Sequence, residues 1–350
     1  MSLSLRKIAP LLILFSWIFL PAADLFAQSG GLTGAFSRMG FGPRGISMGN
    51  ALTATTEAGS YSYYNPAHAA AQRESIQLDF SSAALSFDRQ LHMVGSHFQL
   101  PPSAGISISL INARTGDIDG RTSSGYHTET LSTSEYQLIS NFGIRLSDSF
   151  SAGVGIKYSL ANYHTEVPRS SAIGVDIGIL KRLGSHWVIG ASVHDLFATN
   201  RFDTADLYGS TTSSETRQDF PTRIKFGLST ELFEPLLISA EYEVQVQNSE
   251  VLRQSTNLVD GRPVTRTVTD EVTTNTQIGR IGARYLIHER ITVRSGLQLL
   301  DINHDMLLRP SAGFSLHLPF DRFTPSIDYA FAREPGGISN MHLFSIRIHI

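Results

Sequence analysis

The 350-residue sequence contains no cysteine, which excludes disulfides, thiolate metal sites and a cysteine nucleophile. Charged residues make up only 17% of the chain and the net charge is −3. Because nucleic-acid binding relies on clustered Lys and Arg, nucleic acid is not an expected partner. A membrane-spanning helix needs about 20 consecutive apolar residues, and no such run follows the first 27 residues. The mature chain is therefore not expected to be a helical membrane protein.

Residues 1–27 predict an export signal. Arg6 and Lys7 form a basic start, residues 11–20 are apolar, and Ala27 ends the stretch with a small side chain. We expect cleavage after Ala27. The sequence thus predicts an exported protein whose fold is held without covalent cross-links.

Apolar residues alternate with small or polar ones from about Ser75 to the C-terminus. In residues 150–160 the apolar set occupies every second position, and Gly, Ser and Lys fill the others. This period places the two sets on opposite faces of a strand. One face is suited to lipid, and the other to water or close packing.

The alternation predicts fourteen strands of a length that suits a tilted membrane-spanning strand, roughly 9–11 residues. They are residues 75–87, 90–100, 103–112, 134–145, 149–160, 171–183, 186–196, 221–231, 235–247, 275–287, 290–300, 309–319, 323–333 and 341–350. Short turns alternate with long polar connections at 113–133, 161–170, 197–220 and 248–274. Outer-membrane barrels show this asymmetry between periplasmic turns and extracellular loops.

We therefore predict an all-β fold: a 14-stranded antiparallel transmembrane β-barrel with an N-terminal helical or irregular plug segment. The predicted parts are a signal peptide (1–27), a Gly-rich plug-like segment (28–74) and the barrel (75–350). A large soluble β-sandwich is the alternative. It is disfavoured because sandwich strands average about 5–6 residues and carry more charge on their exposed face.

The segment ahead of the barrel does not alternate and is rich in glycine, alanine and small polar residues. Its glycines allow close backbone approach, and its prolines fix turns. Arg44 would need a carboxylate or carbonyl partner if it were buried in the lumen. Asp176, Glu241 and Glu243, on wet strand faces, are the partners we expect. The candidate plug or lumen residues are Arg44, Gly45, Met48, Gly49, Tyr64, Asn65 and Pro66. A purely space-filling role for this segment is favoured over contact with a ligand.

Two motifs of this segment and one of the closing hairpin carry a family resemblance. An Arg followed by Met-Gly-x-Ala (Arg44, residues 48–51) precedes Tyr-Asn-Pro-Ala (residues 64–67), and the closing hairpin contains Asp-Tyr-Ala-Phe at 328–331. The pattern resembles the PorV/PorQ family, which is related to the FadL-type transporters of hydrophobic compounds. The resemblance implies a fourteen-stranded outer-membrane barrel. It also implies lipid as a neighbour and, for some members, secretion-system proteins or exported cargo proteins as partners in type IX secretion.

Two glycine- or aspartate-rich patterns are weak signals. Gly40, Gly42 and Gly45 superficially match a dinucleotide fingerprint but lack a preceding strand and a βαβ context. Residues 117–120 match part of a calcium loop but lack its downstream glutamate. Neither pattern predicts a cofactor or a metal.

The histidines also give no clear site. His92 and His97 are five apart and should point to opposite faces of a strand. Ser192, His194 and Asp195 invite comparison with a catalytic triad, but adjacent strand residues face opposite ways. We therefore expect no enzymatic activity, although catalysis assembled from distant strands stays open.

Three functions remain as hypotheses. The resemblance, with the long loops 197–220 and 248–274, favours assistance in protein secretion or delivery of exported proteins to the cell surface. The plug-like segment and the apolar side chains near it favour a FadL-like conduit for small hydrophobic molecules. A passive barrel with a sealed lumen is the third hypothesis.

Overall fold

The structure is a computed structural model that describes residues 34–55, 61–71, 76–164, 167–203, 215–259, 262–302, 306–318, 325–334 and 339–350. The predicted export signal and its cleavage site lie outside the described residues. Among the residues described, no helix is long and apolar enough to cross a membrane.

Fourteen antiparallel strands close into a barrel, and two more form a separate sheet. The barrel strands are β1 Gln77–Ala84, β2 Arg89–Leu100, β3 Ala104–Arg121, β4 His127–Ser147, β5 Phe150–Asn162, β6 Ser170–Leu183, β7 Trp187–Leu196, β10 Thr222–Phe233, β11 Leu236–Val259, β12 Arg262–His288, β13 Ile291–Leu300, β14 Leu307–His317, β15 Ser326–Arg333 and β16 Asn340–His349. Each pairs with its neighbour in the chain, except that β7 pairs with β10 and that β1 closes the barrel on β16. The predicted 14-stranded barrel is confirmed, and every predicted strand overlaps an observed one.

The alternation of the sequence decides which side chains face outward. On β5, Val154, Ile156 and Tyr158 are 45%, 59% and 45% exposed, whereas Lys157 between them is buried. Large apolar side chains are exposed in the same way on strands all around the barrel. An apolar outer belt of this kind is what a barrel in a bilayer requires.

The two ends of the barrel differ. At one end, which we call the turn end, short connections join the strands at residues 101–103, 148–149, 184–186, 234–235 and 289–290. The backbones of Ile76 and Ile350 also exchange two 3.0 Å hydrogen bonds there. The opposite end, which we call the loop end, carries the longer hairpins.

Two of the predicted loops at the loop end are wrong. Most of 113–133 is strand, because β3 continues to Arg121 and β4 starts at His127. Likewise 248–274 is a long hairpin in which β11 and β12 stay in register up to the pair Val259 and Arg262. Threonine and valine favour strands, and a strand that leaves the bilayer needs no apolar face. Polarity alone therefore does not mark the end of a strand.

The connection 197–220 contains the separate sheet, β8 Thr199–Asp203 and β9 Glu215–Asp219. Ala198 and Phe220 at its base are buried with Ala172 of β6. The Phe220 ring also lies against Gly34. This connection was predicted as a polar loop, but its described part folds against the barrel interior.

The N-terminal segment, residues 34–55 and 61–71, lies inside the barrel. It contains 3-10 helices at Ala35–Arg38, Tyr61–Tyr63 and Pro66–Ala70 and one α-helix, Gly42–Ser47. Prolines stand in the first turns of the α-helix and of the last 3-10 helix, where the missing N–H costs nothing. The Asn65 side chain caps that 3-10 helix by accepting a 3.0 Å hydrogen bond from Ala67 N–H.

Candidate functional site

A set of inward-facing wall glycines forms the seat of the N-terminal segment. We call them the glycine row: Gly105, Gly143, Gly153, Gly178, Gly190, Gly227, Gly282 and Gly296. The first four are consecutive cross-strand partners on β3 to β6. A Cβ at Gly153 would lie 2.4 Å from the Pro66 carbonyl carbon. Because this contact is to backbone, only glycine lets the segment approach the wall so closely.

The same close approach occurs on the other side of the barrel. Gly282 and Gly296 are cross-strand partners on β12 and β13. Cβ atoms there would lie 2.4 Å from the Met48 carbonyl oxygen and 2.0 Å from the Gly49 nitrogen. Gly49 itself has φ +63°, a conformation that favours glycine. The segment thus contacts opposite sides of the wall.

Wall side chains also pair with backbone carbonyl groups of the segment. The Ser239 hydroxyl donates to Ala51 C=O at 2.6 Å, and the Ser229 hydroxyl donates to Ala54 C=O at 3.0 Å. His97 Nε2 lies 2.9 Å from Ala69 C=O. Since buried backbone groups need partners, these contacts make the irregular segment compatible with a closed interior.

Arg44 lies in this interior and is 5% exposed. Its Nε donates to Asp328 at 3.0 Å and its Nη2 to Ser326 at 2.8 Å, both on β15. The expected pairing with Asp176, Glu241 or Glu243 is therefore wrong. Those carboxylates lie on other strands, where the wall's own cations bind them, whereas the short helix directs Arg44 toward β15.

Tyr64 and Asn65 connect distant parts of the segment. The Tyr64 hydroxyl accepts from Phe41 N–H at 2.9 Å and donates to Asn50 Oδ1 at 2.7 Å. A Cβ on Gly45 would lie 2.1 Å from this hydroxyl. Asn65 Nδ2 donates to Thr53 C=O at 2.9 Å and to the wall carbonyl of Ile179 at 3.1 Å.

The seven candidate residues thus lie together in the interior. Arg44, Met48, Tyr64 and Asn65 are buried, with at most 5% of each residue exposed. The remaining three, Gly45, Gly49 and Pro66, provide backbone contact to Tyr64 or to the glycine row. What they do for the protein is taken up below as a proposal.

Buried ion pairs occupy the inward faces of β5, β6, β7, β10 and β11, which we call the ionic wall. Lys157 Nζ lies 2.8 Å from carboxylate oxygens of both Asp176 and Asp195. Asp195 also accepts a 2.8 Å hydrogen bond from Arg223 Nε, and Arg223 Nη2 lies 2.7 Å from the same oxygen. All four side chains are buried. Charges buried at this depth are tolerated because each has a partner of opposite sign.

A bulge on β7 turns two adjacent side chains into this wall. The register between β6 and β7 shifts after the pair Ile177 and Val193, and Asp195 has φ +60°. His194 and Asp195 are consequently both buried. The expectation that neighbouring residues here face opposite ways is wrong, because the extra residue of a bulge breaks the alternation.

The bulge produces a Ser–His–Asp contact that differs from the one considered above. His194 Nδ1 lies 2.7 Å from Asp176, and its Nε2 lies 2.9 Å from the Ser192 hydroxyl and 3.1 Å from Tyr64 C=O. Lys157 binds the same Asp176 oxygen. All these groups are buried against the N-terminal segment, so a substrate has no place beside the serine. We assign them to docking of the segment.

A second ionic group continues the wall. Arg280 Nη1 lies 2.6 Å from both Glu241 and Glu243. Glu241 also accepts a 3.0 Å hydrogen bond from Thr53 N–H of the segment. The Lys225 ammonium lies 5.8 Å from the centre of the Tyr64 ring, within cation–π range. The ionic wall therefore holds the segment by directed contacts.

The opposite side of the lumen is apolar toward the loop end. Strands β15, β16 and β1 to β4 present inward side chains that we call the apolar wall: Ala83, Leu91, Met93, Ile111, Ile139, Ala332, Met341 and Leu343. Phe41, Ile46 and Tyr63 of the segment pack against it. Phe36 and Met39 lie at the edge of this cluster and are partly buried.

Burial alters two ionisable groups of the segment. Desolvation, followed by the neighbouring Arg223 guanidinium, lowers the pKa of Arg38 to about 10. Burial also raises the pKa of Tyr63. At neutral pH, Arg38 is therefore still a cation and Tyr63 is neutral.

The interior leaves little free space where the helix Gly42–Ser47 meets β1 and β16, the two strands whose pairing closes the barrel. A cavity of about 10 Å³ there is lined by the helix and by Asp79, Ser81, Ser345 and Arg347. It has room for about one water molecule. Within the described part of the chain, no group of three or more His, Asp or Glu residues is placed to hold a metal ion.

The two weak motifs have structural explanations. Gly40, Gly42 and Gly45 lie in the segment, and Gly40 and Gly42 have positive φ values that explain the glycines. Asp119, in residues 117–120, lies in the exposed part of β3 and binds Arg121 and His127.

Solved structures share this fold at low sequence identity. The Ralstonia pickettii toluene transporter TbuX is 12% identical with a TM-score of 0.59, over 90% of this chain and 98% of that chain. The CymD monoaromatic hydrocarbon channel is 13% identical (TM-score 0.56; 89% and 97% covered). A Pseudomonas aeruginosa FadL homologue is also 13% identical (TM-score 0.59; 89% and 98% covered). No protein-family model and no curated protein matches the sequence. At these identities the likeness establishes the barrel fold.

Proposed function

We propose that this chain is a non-enzymatic outer-membrane barrel that passes small hydrophobic molecules. The observation that carries the proposal is the apolar wall. A lumen that only conducted water-soluble solutes would be polar throughout, but six neighbouring strands here turn apolar side chains inward near the loop end. The shared fold with a toluene transporter and a monoaromatic hydrocarbon channel supports the same reading.

In this proposal the N-terminal segment closes the lumen and borders the ligand site. Met48 and Tyr64 belong to the same apolar cluster as the wall. Arg44, Gly45, Gly49, Asn65 and Pro66 then hold the segment in position through the contacts described above. A hydrophobic molecule would replace the packing of Phe41 and Tyr63 on the apolar wall.

Uptake of radiolabelled toluene tests this function. Cells that lack their own hydrocarbon channel would express the full chain or its Leu91→Asn variant. Because an amide at position 91 replaces apolar surface that toluene would contact, we expect the variant to lower the initial uptake rate about tenfold, which corresponds to ~1.4 kcal/mol. Gln298→Asn, a polar change on β13, is the matched control and should leave uptake unchanged. Wild-type uptake no faster than that of empty cells would refute the proposal.

We propose an outer-membrane location because the barrel has an apolar outer belt and the sequence predicts an export signal. Separation of inner and outer membranes should place the protein in the outer membrane, with a mature N-terminus at Gln28. Recovery in the soluble fraction would contradict this location.

Delivery of exported proteins is a second candidate function, of the type found in the PorV/PorQ family. The observation that favours it is the projection of two hairpins beyond the barrel, β3–β4 to residues 121–127 and β11–β12 to residues 259–262. Such ribbons offer a partner protein a surface outside the membrane. Deletion of the gene should then change the set of secreted and surface-attached proteins. An unchanged set would remove this candidate and leave hydrophobic transport in place.

A further inference from the structure

Buried polar side chains line the inward faces of β3, β4 and β5, where the apolar wall meets the ionic wall. We call them the polar strip: Ser107, Ser109, Gln137, Asn141 and Ser159. Each is at most 7% exposed. Gln137 stands directly opposite Ile111 of the apolar wall on one side and opposite Ser159 on the other. The polar strip thus begins where the apolar wall ends.

Three polar atoms of this strip have no hydrogen-bond partner among the described residues. They are the Ser109 hydroxyl and the side-chain carbonyl oxygens of Gln137 and Asn141. The amide nitrogens do have partners, because Gln137 Nε2 donates to the Ser159 hydroxyl at 3.0 Å. Asn141 Nδ2 likewise donates to the Ser107 hydroxyl at 3.4 Å. A buried polar atom without a partner costs about 1–3 kcal/mol, so a ligand that supplies the missing hydrogen bond gains from binding here.

Gln137 and Ser109 adjoin the apolar wall most closely. The register pairs Ser109 with Ile139 and Ile111 with Gln137, so the two polar residues are diagonal neighbours. Side chains at such positions lie within roughly 7–8 Å of each other, so one small group can contact both. Ile111 and Ile139 occupy the other two corners and belong to the apolar cluster in which Tyr63 packs. A molecule that replaces Tyr63 there would meet an apolar surface and two free polar groups together.

The two free groups offer a ligand complementary hydrogen bonds. The side-chain carbonyl oxygen of Gln137 only accepts a hydrogen bond, whereas the Ser109 hydroxyl can donate one. A hydroxyl group on the ligand suits both, because it donates one hydrogen bond and accepts another. A carboxylate has no hydrogen to give to Gln137, and an ammonium has no lone pair to accept from Ser109. The pair therefore favours a neutral hydroxyl over either charged group.

We propose that Gln137 and Ser109 form a hydroxyl-binding subsite at the edge of the apolar wall, and that apolar alcohols and phenols are ligands of this barrel. The inference rests on the proposed passage of hydrophobic molecules and adds the polar group that such a ligand carries. The apolar part of the ligand lies against Ile111 and Ile139, while its hydroxyl donates to Gln137 and accepts from Ser109. Apolar pockets generally use a few placed polar groups of this kind to orient their ligands.

Binding of p-cresol and 4-methylanisole to the purified protein in lipid nanodiscs tests this subsite. Both molecules have a ring, a methyl group and an oxygen, but only p-cresol can donate a hydrogen bond. Equilibrium dialysis at pH 7 against empty nanodiscs gives each Kd, and p-cresol stays protonated because the pKa of a phenol is about 10. We expect the wild type to bind p-cresol about tenfold more tightly, which corresponds to ~1.4 kcal/mol.

Three variants assign this preference to the subsite. Gln137→Leu replaces the amide with an apolar side chain of similar size, so the preference for p-cresol should disappear while 4-methylanisole still binds. Ser109→Ala removes a hydroxyl that has no partner and should lower the preference about threefold, which corresponds to ~0.7 kcal/mol. It takes the place of Gln137→Leu if that variant does not fold. Gln298→Leu makes the same chemical change on β13 and is the matched control, with the wild-type preference expected.

Equal affinities of the wild type for the two compounds would overturn the inference. So would a preference for p-cresol that persists in both Gln137→Leu and Ser109→Ala. Toluene uptake reports on the proposed function separately, because toluene has no hydroxyl. Wild-type toluene uptake above that of empty cells, together with equal affinities, would remove the subsite and leave the transport function in place. If neither compound binds and toluene is not taken up, both proposals fail.

Discussion

The ionic wall and the apolar wall hold the same segment by different physical means. In the ionic wall, Asp195 sits between the cations Lys157 and Arg223, and Glu241 accepts a 3.0 Å hydrogen bond from Thr53 N–H of the segment. The apolar wall contributes side chains such as Leu91 and Ile139, whose packing has no direction. A directed contact fixes where the segment lies, whereas apolar packing lets one apolar occupant replace another. This difference places the rigid part of the interior on one side and the exchangeable part on the other.

The largest expected effect comes from breaking the ionic wall. Asp195→Ala would leave Lys157 and Arg223 buried without their shared carboxylate. We expect the free energy of unfolding to fall by about 3–5 kcal/mol, measured by denaturant titration of the refolded barrel. Asp148→Ala, in an exposed turn, is the control and should have little effect. A loss below about 1 kcal/mol at Asp195 would show that the ionic wall is not the rigid side.

A methyl group added to the glycine row should lower the free energy of unfolding by less than Asp195→Ala does. In Gly153→Ala the new Cβ meets the backbone of Pro66 and Ala67 at 2.4 to 2.5 Å, and backbone cannot rotate away. We expect a loss of about 1–3 kcal/mol and faster protease cleavage within the N-terminal segment. Gly116→Ala adds the same methyl where no atom lies within 4 Å. Equal stability of the two variants would mean that the segment does not press on the wall.

Loss of one hydroxyl tests the connection that Tyr64 makes between distant parts of the segment. Tyr64→Phe removes the acceptor of Phe41 N–H and the donor to Asn50. Leaving these buried groups without a partner should cost about 1–2 kcal/mol. Tyr126→Phe, where the ring is 76% exposed, provides the comparison and should match the wild type. A Tyr64→Phe variant as stable as the wild type would argue that water replaces the hydroxyl.

The apolar wall should tolerate a change of shape best. Ile139→Val removes one buried methylene and should lower the free energy of unfolding by only about 0.5–1.5 kcal/mol. The outward Ile156→Val is the control for the loss of the same group without a cavity. If Ile139→Val cost as much as Asp195→Ala, the contrast between the two walls would disappear.

The barrel was predictable because its outer face must be apolar. In residues 150–160 that requirement produces an alternation that no soluble loop would preserve, and β5 follows it. Beyond the apolar belt the prediction failed, because residues 248–259 and 262–274 are strand although they are polar. Strands can stay hydrogen-bonded outside a bilayer, and their sequence then shows no alternation of apolar residues.

The interior was predictable only in part. Inward glycines and single charges were visible in the strands, but not which of them touch the segment, because contacts between residues nearly 300 positions apart leave no periodic signal. The partner of Arg44, Asp328, was missed for this reason. The bulge at Asp195 was missed because one inserted residue does not change the composition of a strand.

The pairing of Arg44 with Asp328 also constrains the order of assembly. The N-terminal segment is made first, yet its partners on β14 and β15 are made among the last residues of the chain. Contacts so distant in sequence form slowly, because a long loop must close before they gain anything. The contact between Arg44 and Asp328 therefore forms only after β15 is in place, so it joins the earliest part of the interior to one of the last strands of the wall.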